Sequence, residues 1–98
     1  MHPEEILMPK YHVIHTHTKE TCFGPPNENP EMMQLWKQVR GNAKENNVTI
    51  ESWVVNPTEH IFFIVLEGAD YSDIEKTIGD CKKTGEFQIT PVIEPPFF

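Results

Sequence analysis

The residues able to do chemistry gather in one stretch, residues 11–18, which reads Tyr-His-Val-Ile-His-Thr-His-Thr and is followed shortly by Cys22. β-branched and aromatic residues dominate it, which predicts a strand. Side chains two apart on a strand share a face, so His15 and His17 stand side by side, about 7 Å apart at the backbone. Two imidazoles so placed can converge on one metal ion or one anionic substrate. Imidazole with a nearby thiolate suits Zn, Cu, Fe or Ni. The competing reading is structural: both histidines hydrogen-bond to Thr and backbone at a strand end, and Cys22 is a small buried thiol.

The elements that must position these groups follow from patterning. After a loop over residues 19–29 that contains two adjacent prolines, Asn29 is an N-cap with Pro30 at the first helical position and Glu31 in the first turn. Met32, Leu35, Trp36, Val39 and Ala43 then make a helical stripe that runs out at Asn46-Asn47. Residues 48–55 and 61–66 read as strands joined by a turn at residues 56–59. Ser72 and Glu75 form a capping-box pattern, Ile74, Ile78 and Cys81 follow at helical spacing, and Gly85 is placed as the C-cap. Residues 87–93 make a fourth strand whose Pro91 predicts a sheet edge or a bulge.

Strand, helix, strand, strand, helix, strand is the α+β, ferredoxin-like βαββαβ pattern: a four-stranded antiparallel sheet with both helices on one face. Its usual strand order is fourth, first, third, second. The first and third strands are then antiparallel neighbours, so His60 meets the end of the strand that carries His15 and His17, and Cys22 leaves from the same end. The expected metal ligands are therefore His15, His17, His60 and Cys22. The third strand, Ile-Phe-Phe-Ile-Val-Leu, is apolar on both faces, whereas the helices cover one. A second copy packed sheet against sheet is the simplest lid, which predicts a homodimer. Trp53, Phe62 and Ile64, with Leu66, are candidates to line an apolar ligand cavity in that dimer, plain interface packing being the alternative. His12 faces away from His15 and His17 and belongs either under the helices or among the cavity-lining residues. Glu51 and Glu59 flank the region as candidate bases.

On these residues the chain resembles the dimeric α/β-barrel superfamily, and within it small single-domain members akin to muconolactone isomerase. The resemblance rests on Tyr11-His12-Val13 opening the first strand, residues 50–55 with Trp53, a third strand beginning near His60, and residues 88–93 followed by a proline-containing tail. His15-Thr16-His17-Thr18 with Cys22 is also similar to small uncharacterised proteins of this type. It covers roughly residues 10–94. The superfamily includes isomerases, cofactor-free monooxygenases, haem enzymes and proteins of no known activity, so the resemblance implies a fold and leaves the reaction open.

Bulk properties narrow the function classes. The 98 residues make one domain: an arm over residues 1–10, a folded unit over residues 11–94 and a tail over residues 95–98. A formal charge of −7 with scattered Lys and Arg argues against a phosphate-backbone binder, so no nucleic-acid partner is expected. No apolar run approaches the ~20 residues of a spanning helix, and Glu4 and Glu5 stand where a leader carries positive charge. A cytoplasmic location and two reduced cysteines are expected. No phosphate loop, serine elbow or paired metal-carboxylate motif is present. Three readings remain: a homodimer binding a metal or small molecule at the histidine end, a metal-free isomerase or monooxygenase-like enzyme with His and Glu as proton carriers, and a non-enzymatic interaction subunit that docks through its Pro-Pro-Phe-Phe tail.

Overall fold

Strict alternation of burial along β1 (Lys10–Thr16) divides the sheet into two chemically different faces. Tyr11, Val13 and His15 are buried, while Lys10, His12, Ile14 and Thr16 are half-buried on the other side. The computed structural model describes residues 9–22 and 29–98, so most of the expected arm and residues 23–28 of the proline-containing loop lie outside the described residues. With β2 (Thr49–Asn56), β3 (Ile61–Glu67) and β4 (Glu86–Val92), β1 forms one antiparallel sheet in the order β2-β3-β1-β4. This is the ferredoxin-like arrangement. Pro91 indeed lies on an edge strand, where its missing N–H costs no ladder bond.

Two helical units cover one face. In the first, α1 (Pro30–Lys37) and α2 (Val39–Glu45) are separated only at Gln38, where the N–H bonds to Leu35 three residues back and tightens the turn. The Asn29 Oδ1 accepts from the Met32 N–H at 3.1 Å, and Asn47 takes the left-handed conformation beyond the helix end. Trp36, Val39 and Ala43 carry the buried stripe.

The second unit departs from expectation at both ends. α3 (Tyr71–Ile78) is capped by Asp70, whose Oδ1 accepts from the Asp73 N–H at 3.2 Å and from the Ser72 hydroxyl at 2.6 Å. Ser72 donates to the cap and is therefore not the cap itself. At the other end Gly79 adopts φ 57°, and the chain continues as 3-10 turns over Gly79–Thr84. Cys81 and Thr84 are buried in that stretch, and the Trp36 indole N–H donates to Thr84 Oγ1 at 3.1 Å, tying the two helical units together.

β3 is apolar on both faces because it lies inside the sheet. Ile64 and Leu66 sit in the core under the helices. Phe63 lies on the open face between Ile14 and Val54, and Val65 between His12 and Ser52. The other side of the sheet thus presents apolar side chains that no helix among the described residues covers. Beyond β4, Ile93, Phe97 and Phe98 are largely exposed.

Candidate metal site

Three segments deliver ligating side chains to one end of the sheet. β1 ends at Thr16, but the His17 N–H still donates to the His60 carbonyl at 3.4 Å, which carries the pairing one residue past the ladder. The two imidazole rings then stand edge to face, centroids 5.2 Å apart. His60 is held in the left-handed conformation, φ 60°, as the last residue of the turn between β2 and β3. Asn56 builds that turn: its Oδ1 accepts from the Glu59 N–H at 3.0 Å, and its Nδ2 donates to Glu59 Oε1 at 3.2 Å.

Cys22 arrives by a reciprocal cap around the 3-10 turn Lys19–Thr21. The Thr21 N–H donates to Thr18 Oγ1 at 3.2 Å, and the Thr18 N–H to Thr21 Oγ1 at 3.1 Å. The turn folds the chain back directly after β1 and sets Cys22 against the histidines. One ligating atom from each of His17, Cys22 and His60 lies within 4.8 Å of the other two, and all three residues are half-buried. Ligands of one tetrahedral zinc ion stand roughly 3.5 Å apart. Small side-chain rotations therefore close the set, and this His/Cys group can hold a metal ion.

His15, grouped with the ligands in the sequence reading, sits one layer deeper and outside that set. It is fully buried among Trp36, Phe87 and Phe62, with ring centroids 4.9, 4.6 and 5.5 Å away. Its Nε2 lies 3.3 Å from His17 Nδ1, so it stands behind a member of that group and in contact with it. Burial pushes the His15 imidazole down to about 4, His17 adds to the shift, and the Glu86 backbone opposes it. Burial, then His60, also lowers His17. Both rings are neutral at neutral pH, the state in which an imidazole ligates.

Gly85 completes the packing. A Cβ there would collide with the Thr16 carbonyl and come within 2.7 Å of His15 Cε1 and 3.1 Å of His17 Cβ. Gly85 is the C-cap of the 3-10 stretch, as its position in the sequence predicts, and the missing side chain also lets the chain pass against the histidines. The sequence reading missed the Thr18/Thr21 cap. Its signal was present as a Thr-x-x-Thr spacing in which the second threonine replaces the usual acidic partner.

The remaining candidates scatter. Trp53 and Phe62 face the helices and line a groove of about 590 Å³ between α1 and β2, together with Met33 and Val55. Ile64 is sealed in the core, and His12 lies on the opposite face of the sheet, so these four residues share no common cavity. Glu51 pairs with Lys10 at 3.2 Å, and Glu59 is exposed in its turn. Neither stands in an apolar pocket beside the histidines. The Cys81 thiol is buried and pushed up to about 12, chiefly by that burial and secondarily by Asp80, which leaves it unreactive.

No helix among the described residues is long and apolar enough to cross a membrane. A family model described as a domain of unknown function (DUF3303) matches residues 10–96. No curated protein matches the chain.

Proposed function

The chain belongs to the DUF3303 family, a domain of unknown function, and from its own site we propose that it binds one transition-metal ion through His17, Cys22 and His60. The observation that carries this is the meeting of their three ligating atoms within 4.8 Å, from segments that the fold alone brings together. Two imidazoles and a thiolate favour Zn, Cu, Fe or Ni over the oxygen-seeking Mg and Ca. With its proton on Nδ1, His17 donates to His15 Nε2 and keeps the Nε2 lone pair for the ion. Three protein ligands leave a four-coordinate ion one position for water or a small ligand, the arrangement of sites that polarise or exchange a bound group.

The test is cobalt(II) titration of metal-stripped, untagged protein. One ion per chain is expected, with thiolate-to-cobalt charge-transfer absorption in the near ultraviolet. Cys22→Ser should abolish that band, and His17→Ala should weaken binding at least about tenfold. Failure to take up cobalt, zinc, copper or nickel would overturn the proposal. So would a Cys22→Ser protein with an unchanged spectrum.

The open face supports a second element of the reading, a homodimer of the dimeric α/β-barrel kind. Ile14, Phe63 and Val54 form a row across it, and Val54 is 58% exposed. Twofold packing of two such faces covers both rows at once.

A further inference from the structure

We propose that the groove between α1 and β2 is a binding site for a small aromatic carboxylate, with the ring system among Trp53, Phe62 and Met33 and the carboxylate on Arg40 and Lys37. The groove's volume of about 590 Å³ falls within the range of small-molecule sites. Its walls are unusually aromatic. Trp36 and Phe62 stand edge to face at 4.7 Å, and Trp53 lies 5.8 Å from Trp36 and 6.2 Å from Phe62. Such a set accepts a further flat ring by stacking or edge contact better than it accepts a flexible chain.

The charge at the rim selects the head group. Arg40 and Lys37 both line the groove, one turn apart along the helical unit. Among the described residues the ion pairs are Lys10–Glu51 and Lys82–Glu75, and neither rim cation takes part in one. The Arg40 guanidinium is nevertheless held in place, 5.0 Å over the Trp53 ring. A guanidinium fixed by stacking keeps its N–H fork available for bidentate pairing with a carboxylate. In a chain of net charge −7, two cations beside an apolar groove are a local exception, and that exception fits an anionic head.

The inference stands apart from the metal reading, and its test uses metal-stripped protein. Titrate 2-naphthoate, and separately the neutral isostere 2-naphthamide, while following the two tryptophan indole N–H signals by two-dimensional NMR. A saturable shift of the Trp53 signal is expected, with naphthoate binding about tenfold more tightly than naphthamide. Arg40→Gln should remove that preference without weakening naphthamide, and Lys37→Gln should reduce it in the same direction. Equal binding of the two probes would mark a plain apolar surface and overturn the proposal. No saturable shift at Trp53, as when a second copy covers the groove, would overturn it too, as would an Arg40→Gln variant that keeps the full preference.

Discussion

His60 shows most directly how a single residue divides its duties. A non-glycine residue at φ 60° carries backbone strain, tolerated better by His than by branched residues. His60→Gly should therefore leave the thermal midpoint equal or higher while lowering cobalt affinity at least about tenfold, the strain relief being on the order of 1 kcal/mol. A variant that loses stability and keeps its affinity would show that the imidazole serves the turn and not an ion. His15 makes a different prediction, through its proton. Its folded value, about 4, lies below the ordinary histidine value of 6.5. Above pH 6.5 both folded and unfolded chains hold it neutral, and no penalty arises. As pH falls from 6.5 to 4 the unfolded chain gains a proton that the folded chain refuses, so stability drops, by about 3 kcal/mol in total. Urea midpoints of the metal-free protein, measured across that window, should fall with pH, and His15→Phe should flatten the slope.

Among the elements, two glycines test the reading of the helical units and of the crossover into β4. Gly41 lies in α2 with nothing within 4 Å of where a Cβ would stand. Gly41→Ala should stabilise by about 0.5–1 kcal/mol through helix propensity alone. Gly85→Ala is the opposite case, because its Cβ meets the Thr16 carbonyl, backbone that cannot rotate aside. It should destabilise by about 1–3 kcal/mol and shift the His15 and His17 imidazole resonances. Thermal denaturation of the pair gives the sign of each change. A neutral Gly85→Ala would mean that the chain does not press against the histidines. The elements also show where sequence reading reaches. Asn29, Pro30 and Asn47 announce the first helical unit because capping is local chemistry between neighbours in the chain. The start of α3 was misread because Asp70 and Ser72 both offer an oxygen near the helix end, and only the fold shows which one accepts.

For the whole molecule the question is what covers the open face. Phe63 lies at its centre, between Ile14 and Val54, and contributes little to the core beneath the helices. Phe63→Glu should therefore convert a dimer to a folded monomer in analytical ultracentrifugation, since a charge opposite its own symmetry mate costs several kcal/mol. A wild-type monomer at high concentration would remove the barrel reading altogether. Removal of residues 95–98 separates a tail-mediated contact from a sheet-mediated one: on the sheet reading the truncated protein still dimerises.

By itself the sequence determined what is local or periodic. The alternation that faces His15 and His17 together is legible, as are the element order and the two-faced third strand, because each depends on residues a few positions apart. It also determined that His60 and Cys22 come to the same end, given the antiparallel pairing of β1 and β3. Only the tertiary structure decided the depth of each side chain. The same alternation that pairs His15 with His17 drives His15 into a box of Trp36, Phe62 and Phe87, while His17, past the end of the strand, stays half-buried with His60 and Cys22. Depth depends on which rings other elements bring overhead, and no spacing within one strand encodes that. The helix-side orientation of Trp53 and Phe62, and hence their groove with Arg40, was settled the same way, by register with β3 and by the seating of α1 upon the sheet.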